Sequence, residues 1–350
     1  MIKPSFSYFN RVVYSMIFMA AGVLLFSCDS NPLDVDVSDI KVEIKVDRME
    51  QELFASEKNT MLLNDELHKK YGMLYEAFMV DMLGEVPPNN PQAPIVLEGF
   101  VNHPDMKQIY SDMEKKFGDF SKYESGIEDA FKYYKYYFPD SLVPDLITFY
   151  SNFNANVFPY GNRIAIGLDM YLGPDHELVN SLPNDIFPQY LKDKMDPRYL
   201  VADVMKAWLM NRFFEELHSD GADDFLSSII TLGKIMYLMD AMLPFEEDYI
   251  KFGCSKEQME WCVYNEQNVW KTIVDEKILY SKDKAVILQY VSEGPFTKGM
   301  PHDSPGRVGV WLGWQIVRDY VEQNEVSVLE LLEPVGPKVI LKSYSQGERD

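Results

Sequence analysis

Along this chain the spacing of apolar positions changes period twice, and the changes mark its elements. Over residues 39–54 (DIKVEIKVDRMEQELF) the apolar residues Ile40, Val42, Ile44 and Val46 fall at every second position. That period predicts a strand with one face buried, and the interleaved lysines place it at a sheet edge. Over 64–83 the spacing lengthens to that of an amphipathic helix. A proline-rich loop over 84–94 (GEVPPNNPQAP) follows, then helices over 104–117 and 123–138, the second crowded with aromatic rings. The strand signal returns at 145–150 (DLITFY), and segments 156–160 and 163–168 flank Gly161-Asn162, a tight-turn pair that predicts a hairpin.

From residue 198 onward the pattern is helical almost throughout, with segments over 199–216, 224–243, 256–280, 281–291 and 305–324 and a short one over 328–332. Ser255 and Gln258 read as a capping box that opens the third of these. Ser304 followed by Pro305 reads as N-cap and first helical position of the last long helix. The class is α+β: mostly helical, with a small antiparallel or mixed sheet. No internal repeat is present. The layout is one globular domain over 39–345, divisible into lobes over 39–195 and 196–345.

The segment ahead of that domain has a different character. Lys3 and Arg11 precede an apolar run of about 15 residues, VVYSMIFMAAGVLLF, which is short for a membrane span and fits the core of a secretory signal. Leu25-Phe26-Ser27-Cys28 closes it and resembles the bacterial lipobox. That resemblance implies removal of a signal peptide over 1–27 and lipidation of Cys28, because several acyl chains give lasting attachment where one is marginal. Residues 28–38, polar and acidic, then read as a tether. The implied place is the cell envelope, as an outer-membrane lipoprotein facing the periplasm or the cell surface.

Charge narrows the partners. With 33 basic and 55 acidic residues the net charge is -22, which argues against nucleic acid. No P-loop or G-x-G-x-x-G is present, so nucleotide binding has no support, and no motif calls for a cofactor. The five histidines include no H-E-x-x-H, and G-x-S-x-G is absent. Glu215 and His218 form a single Glu-x-x-His, better read as a solvated helix end. His176 reads first as a helix cap. His176, Glu177 and His218 are the first suspects for metal ligands only under an alternative reading as a metal-dependent, peptidase-like hydrolase. His302-Asp303-Ser304 spells triad letters, but adjacent residues have the wrong geometry for a triad. Cys254 and Cys262 lie about 12 Å apart along a helix, too far to bridge, and read as free thiols.

The last long helix (SPGRVGVWLGWQIVRDYV) carries the densest pattern. With Arg307 at zero, Trp311 falls at about 40°, Trp314 at about 340° and Arg318 at about 20°, while Gly309 and Gly313 fall at about 200° and 240°. The glycine face suits close backbone approach. On the other face guanidinium groups can stack over indoles, and the cations either pair with buried acids or line a cleft. The favoured reading is the structural pairing, with the Arg307, Trp311, Trp314 and Arg318 face the candidate partner surface.

With lipobox, strand, hairpin and last helix placed, the chain resembles the gliding-motility lipoproteins of the GldB type, found in Bacteroidetes. The resemblance rests on KVEIKVDRMEQELF, FKYYKYYFP, IAIGLDMYLGPDHE, MEWCVYNEQNVWKTIVDEKILYS and the last helix. It implies an envelope lipoprotein needed for surface gliding and linked to the associated secretion machinery. Together with the anchor and the absence of a catalytic constellation, it favours a lipid-anchored, non-catalytic scaffold that holds or recognises a protein partner. The element order is also distantly similar to zinc peptidases of the gluzincin kind. There 199–212 would be the metal-binding helix, but it carries Lys206, Trp208 and Met210 and no histidine, so this would be a degenerate scaffold.

Overall fold

The computed structural model describes residues 31–54, 59–218 and 223–347. The signal segment and Cys28 lie outside the described residues, as does the start of the tether. Residues 31–35 belong to a small N-terminal unit; the fold is built by the unit from Asp36 onward.

Its sheet has four strands: β1 (Val46–Arg48), β2 (Asp145–Phe149), β3 (Val157–Tyr160) and β4 (Arg163–Gly167). The order is β1-β2-β4-β3, with β1–β2 and β2–β4 parallel and the β3–β4 hairpin antiparallel. The sheet is therefore mixed. β2 and β4 are buried on both faces, as their unbroken apolar runs require. β3 holds Pro159, which an edge strand tolerates because its missing N–H breaks no ladder.

β1 is at the edge, but only three residues of the 39–54 alternation form strand. Ahead of them, the Ile44 amide donates to a Glu128 carboxylate and the Lys45 amide to Asp145. Behind them the chain turns into helix Met49–Phe54, which carries Glu50 and Glu52 in its first turn, where the helix dipole favours acids. Glu50 is buried and pulls the chain inward, accepting from Arg48 and from Thr148 on β2.

The helices used below are α1 (Pro104–Phe117), α2 (Ser121–Tyr137), α3 (Leu200–Leu217), α4 (Phe225–Met242), α5 (Asp248–Phe252), α6 (Lys256–Tyr264) and α7 (Val308–Asn324). The segment expected as one helix over 64–83 is three pieces: Thr60–Tyr71, Met73–Ala77 and a π-helical turn Phe78–Met82. Gly72 breaks it with φ +52, a conformation the periodicity of its neighbours does not reveal. Helix Ala93–Asn102 was not expected; Pro94 in its first turn had read as loop. The 256–280 segment divides at Asn265 into α6 and Glu266–Asp275. The Ser255–Gln258 capping box opens α6.

α4 and α7 form the centre of the helical layer. α4 is long and apolar enough to cross a membrane, yet about nine-tenths of it is buried within the protein. Gly233 of α4 and Gly313 of α7 meet where they cross: a Cβ on Gly313 would stand 1.9 Å from the Ile229 carbonyl oxygen, and one on Gly233 2.3 Å from that of Gly313. The backbones touch, and no side chain fits between them.

The start of α7 corrects the Ser304-Pro305 reading. The helix begins at Val308, and Arg307 stands at the N-cap in the left-handed region. Ser304 is buried and accepts from the Thr297 amide. Thr297 itself supplies the cap: its hydroxyl accepts from the Val308 amide at 3.0 Å and donates to the Pro305 carbonyl at 2.8 Å. A cap from a residue so far back in the chain leaves no local signature.

Candidate functional site

The Arg/Trp face of α7 separates into two environments. Trp311 and Trp314 are buried in the core. Trp314 lies parallel to Phe252 of α5, donates from Nε1 to Asp240 at 2.7 Å and carries the Arg318 guanidinium 3.9 Å above its ring. Arg318 forks onto Asp240 and onto Asp248, with four N–O distances of 2.7–2.9 Å. Lys251 completes the cluster, 2.5 Å from Asp240 and 2.9 Å from Asp248. Two cations thus meet two carboxylates, so the buried charge is balanced and each charged group is hydrogen-bonded. Burial opposes ionisation of Asp248, but the hydrogen bonds and charge of Arg318, then Lys251, win and hold its carboxyl at about 2. The same two carboxylates hold the Arg318 proton more firmly than usual, against its own burial. This end of the helix is a structural lock.

Arg307, at the other end, faces a cavity. Its backbone has φ +62, which for a residue with a Cβ costs of order 1 kcal/mol and must be held by its surroundings. The guanidinium lies 4.7 Å over the Phe252 ring and donates from Nη2 to the Phe252 carbonyl at 2.5 Å. Its Nε stands 2.9 Å from Glu293, but off the line of its N–H, which is buried without an acceptor. Glu293 also pairs with Lys194 through its other oxygen. Lys206, from α3, lines the same cavity. Its ammonium reaches the Phe252 carbonyl at 3.4 Å and Asp203 at 3.9 Å, both long contacts. Burial, followed by repulsion from Arg307, brings the Lys206 pKa down to about 8.

These groups line an inner chamber of about 210 Å³ with Met170, Tyr171, Phe187, Leu191 and Met195. It shares Lys194, Tyr199, Gly253, Glu293 and Arg307 with an outer cleft of about 690 Å³ that runs past Trp261 and His302. Cys254 borders the outer cleft, but burial pushes its thiol up to about 12, so it holds its proton and is no nucleophile. Cys262 is likewise buried and free.

The metal suspects are not gathered. His176 caps the short helix Glu177–Ser181, accepting from the Leu178 amide at Nδ1, with Nε2 3.8 Å from Asp112 of α1. Glu177 is exposed. His218 ends α3, stacked on Phe214. Among the described residues no group of three His, Cys, Asp or Glu side chains is placed to hold a metal ion. Of the residues on the chamber, the sequence had singled out Arg307. Lys194 and Glu293 carried no signal, and Lys206 offered one: a lone lysine in an otherwise apolar stretch, LVADVMKAWLM.

Comparison with known families decides the ancestry. Residues 30–345 match the family described as gliding motility protein GldB. The chain belongs to that family. The match spans the sheet, both ends of α7 and the cavity beside Arg307. No curated protein and no solved structure matches the chain, and the comparisons carry no likeness to zinc peptidases.

Proposed function

We propose that this member of the gliding-motility family is a cell-envelope protein anchored by lipid on Cys28, acting without catalysis as a scaffold for a protein partner. The observation that carries the reading is the family match from residue 30 to 345, which begins just beyond the lipobox Leu25-Phe26-Ser27-Cys28. A lipid on Cys28 would hold the family-matched body to the membrane through the short segment that follows. The anchor is an outer-membrane one, facing the periplasm or the cell surface. The acidic surface disfavours phosphate backbones and leaves proteins as the natural partners. Rigidity supports the same role. The α4–α7 crossing and the Asp240 cluster fix the helical layer, which suits a protein that presents a fixed surface.

Crosslinking in living cells tests the scaffold. The wild-type chain is expected to give a discrete product heavier than the monomer in the membrane fraction, and Cys28→Ala to lose it. A wild-type chain that yields monomer alone, or the same product from both forms, contradicts a partner held at the membrane.

A further inference from the structure

We propose that the inner chamber is a binding site for a small organic acid with a single carboxylate, seated between Lys206 and Arg307 with its apolar body against Met170, Phe187 and Leu191. Four observations converge on this. Gly253, left-handed at φ +80, leaves the chamber wall bare, and the point a Cβ would occupy there lies 3.6 Å from Lys206 Nζ and 3.7 Å from Arg307 Nη2. Two cationic heads from separate elements therefore converge beside one stretch of uncovered backbone. Arg307 is held by the Phe252 carbonyl and by Glu293, but neither cationic head has a full set of well-aligned partners. Lys206 has only long contacts, and the Arg307 Nε–H lacks an acceptor. Buried donors of this kind are costly unless something pairs with them.

The charge count selects a monoanion. Lys194, Lys206 and Arg307 face Glu293 and Asp203 on the chamber, three cations against two carboxylates. One negative charge balances the site, whereas a phosphate dianion overshoots. The remaining lining is mainly apolar or aromatic, with Asn156 its one amide, which suits a hydrocarbon body. The volume, about 210 Å³, is below that of ordinary drug-sized sites and so limits the ligand to a small molecule. The chamber shares five lining residues with the outer cleft, so the two lie side by side.

Lys206 also fits poorly as a purely structural residue. A lysine held with its ammonium half-buried and facing Arg307 weakens the fold. A residue that costs stability and points into a cavity is the usual mark of a binding group.

The test uses the purified full-length chain in non-ionic detergent. Straight-chain monocarboxylates from acetate to octanoate, and 3-phenylpropionate, are titrated by calorimetry up to millimolar concentration. The matching primary amides and inorganic phosphate serve as comparisons. At least one acid is expected to bind, at least tenfold tighter than its amide and than phosphate. Lys206→Met is expected to weaken it by tenfold or more, while the unliganded variant unfolds at the same or a higher temperature. Lack of binding by every acid, equal binding of acid and amide, or preference for phosphate overturns the proposal. So does a Lys206→Met variant that binds normally. If that variant does not fold, a structural role for Lys206 is indicated, and the acid–amide comparison on the wild-type chain still decides the site.

Discussion

Asp240 accepts hydrogen bonds from Trp314, Lys251 and two nitrogens of Arg318. Removing it strands those buried donors, and Asp240→Ala is expected to cost about 3–5 kcal/mol, read from the urea midpoint. Asp248, at the rim of the same cluster, works through pH. Its folded pKa of about 2 lies below the ordinary aspartate value, so its contribution is present above pH ~4 and is lost as pH falls toward 2. Because the carboxylate is partly exposed, solvent screening reduces this to about 1 kcal/mol. Asp248→Asn is expected to flatten the acid limb of the stability curve there. For Lys206 the charged form is a cost where for Asp248 it is a gain, although stability rises with pH in both cases. The folded Lys206 pKa of about 8 lies below the ordinary lysine value, so between pH ~8 and ~10.5 the unfolded chain holds more protons and stability rises with pH. At neutral pH the charged side chain is a cost. Lys206→Met is expected to gain about 1–3 kcal/mol and to lose that alkaline rise, as measured by denaturation across pH.

At the scale of elements, the crossing of α4 and α7 depends on absent side chains. Gly313→Ala places a methyl against the Ile229 carbonyl and is expected to cost about 3 kcal/mol or more, because backbone cannot yield as a side-chain tip can. Gly99→Ala, in a helix with open space around it, is the control: it is expected to gain about 0.5–1 kcal/mol. Thermal denaturation of the two variants separates packing from helix propensity. The same elements show which signals a sequence carries. Gly309 and Gly313 on one face of α7 were legible because a helical repeat exposes a face directly. β2 was legible as a short apolar run, and β4 from the Gly161-Asn162 turn ahead of it. The break at Gly72 and the start of α7 were not. The first depends on one residue's φ, and the second on a hydroxyl from Thr297, which only the folded chain brings near.

The unit from Asp36 onward combines many helices with a small mixed sheet, the chain is strongly acidic, and the family assignment covers nearly all of it. Its candidate site was half visible beforehand. The Arg/Trp face could be drawn on a helical wheel, but the wheel joins Arg307 to Arg318, whereas the fold gives them separate tasks. Arg307 leaves the helical path at the N-cap and turns toward Lys206, Lys194 and Glu293, which come from three other segments. No spacing in one segment can announce such a convergence. The proposed lipid anchor depends on the residues just ahead of this body, and one measurement addresses it most directly: incorporation of labelled palmitate into the chain in a bacterial host. The account predicts that the wild-type chain is labelled and recovered with membranes, and that Cys28→Ala is neither. Label that persists in Cys28→Ala, or a wild-type chain that takes up none, would contradict it.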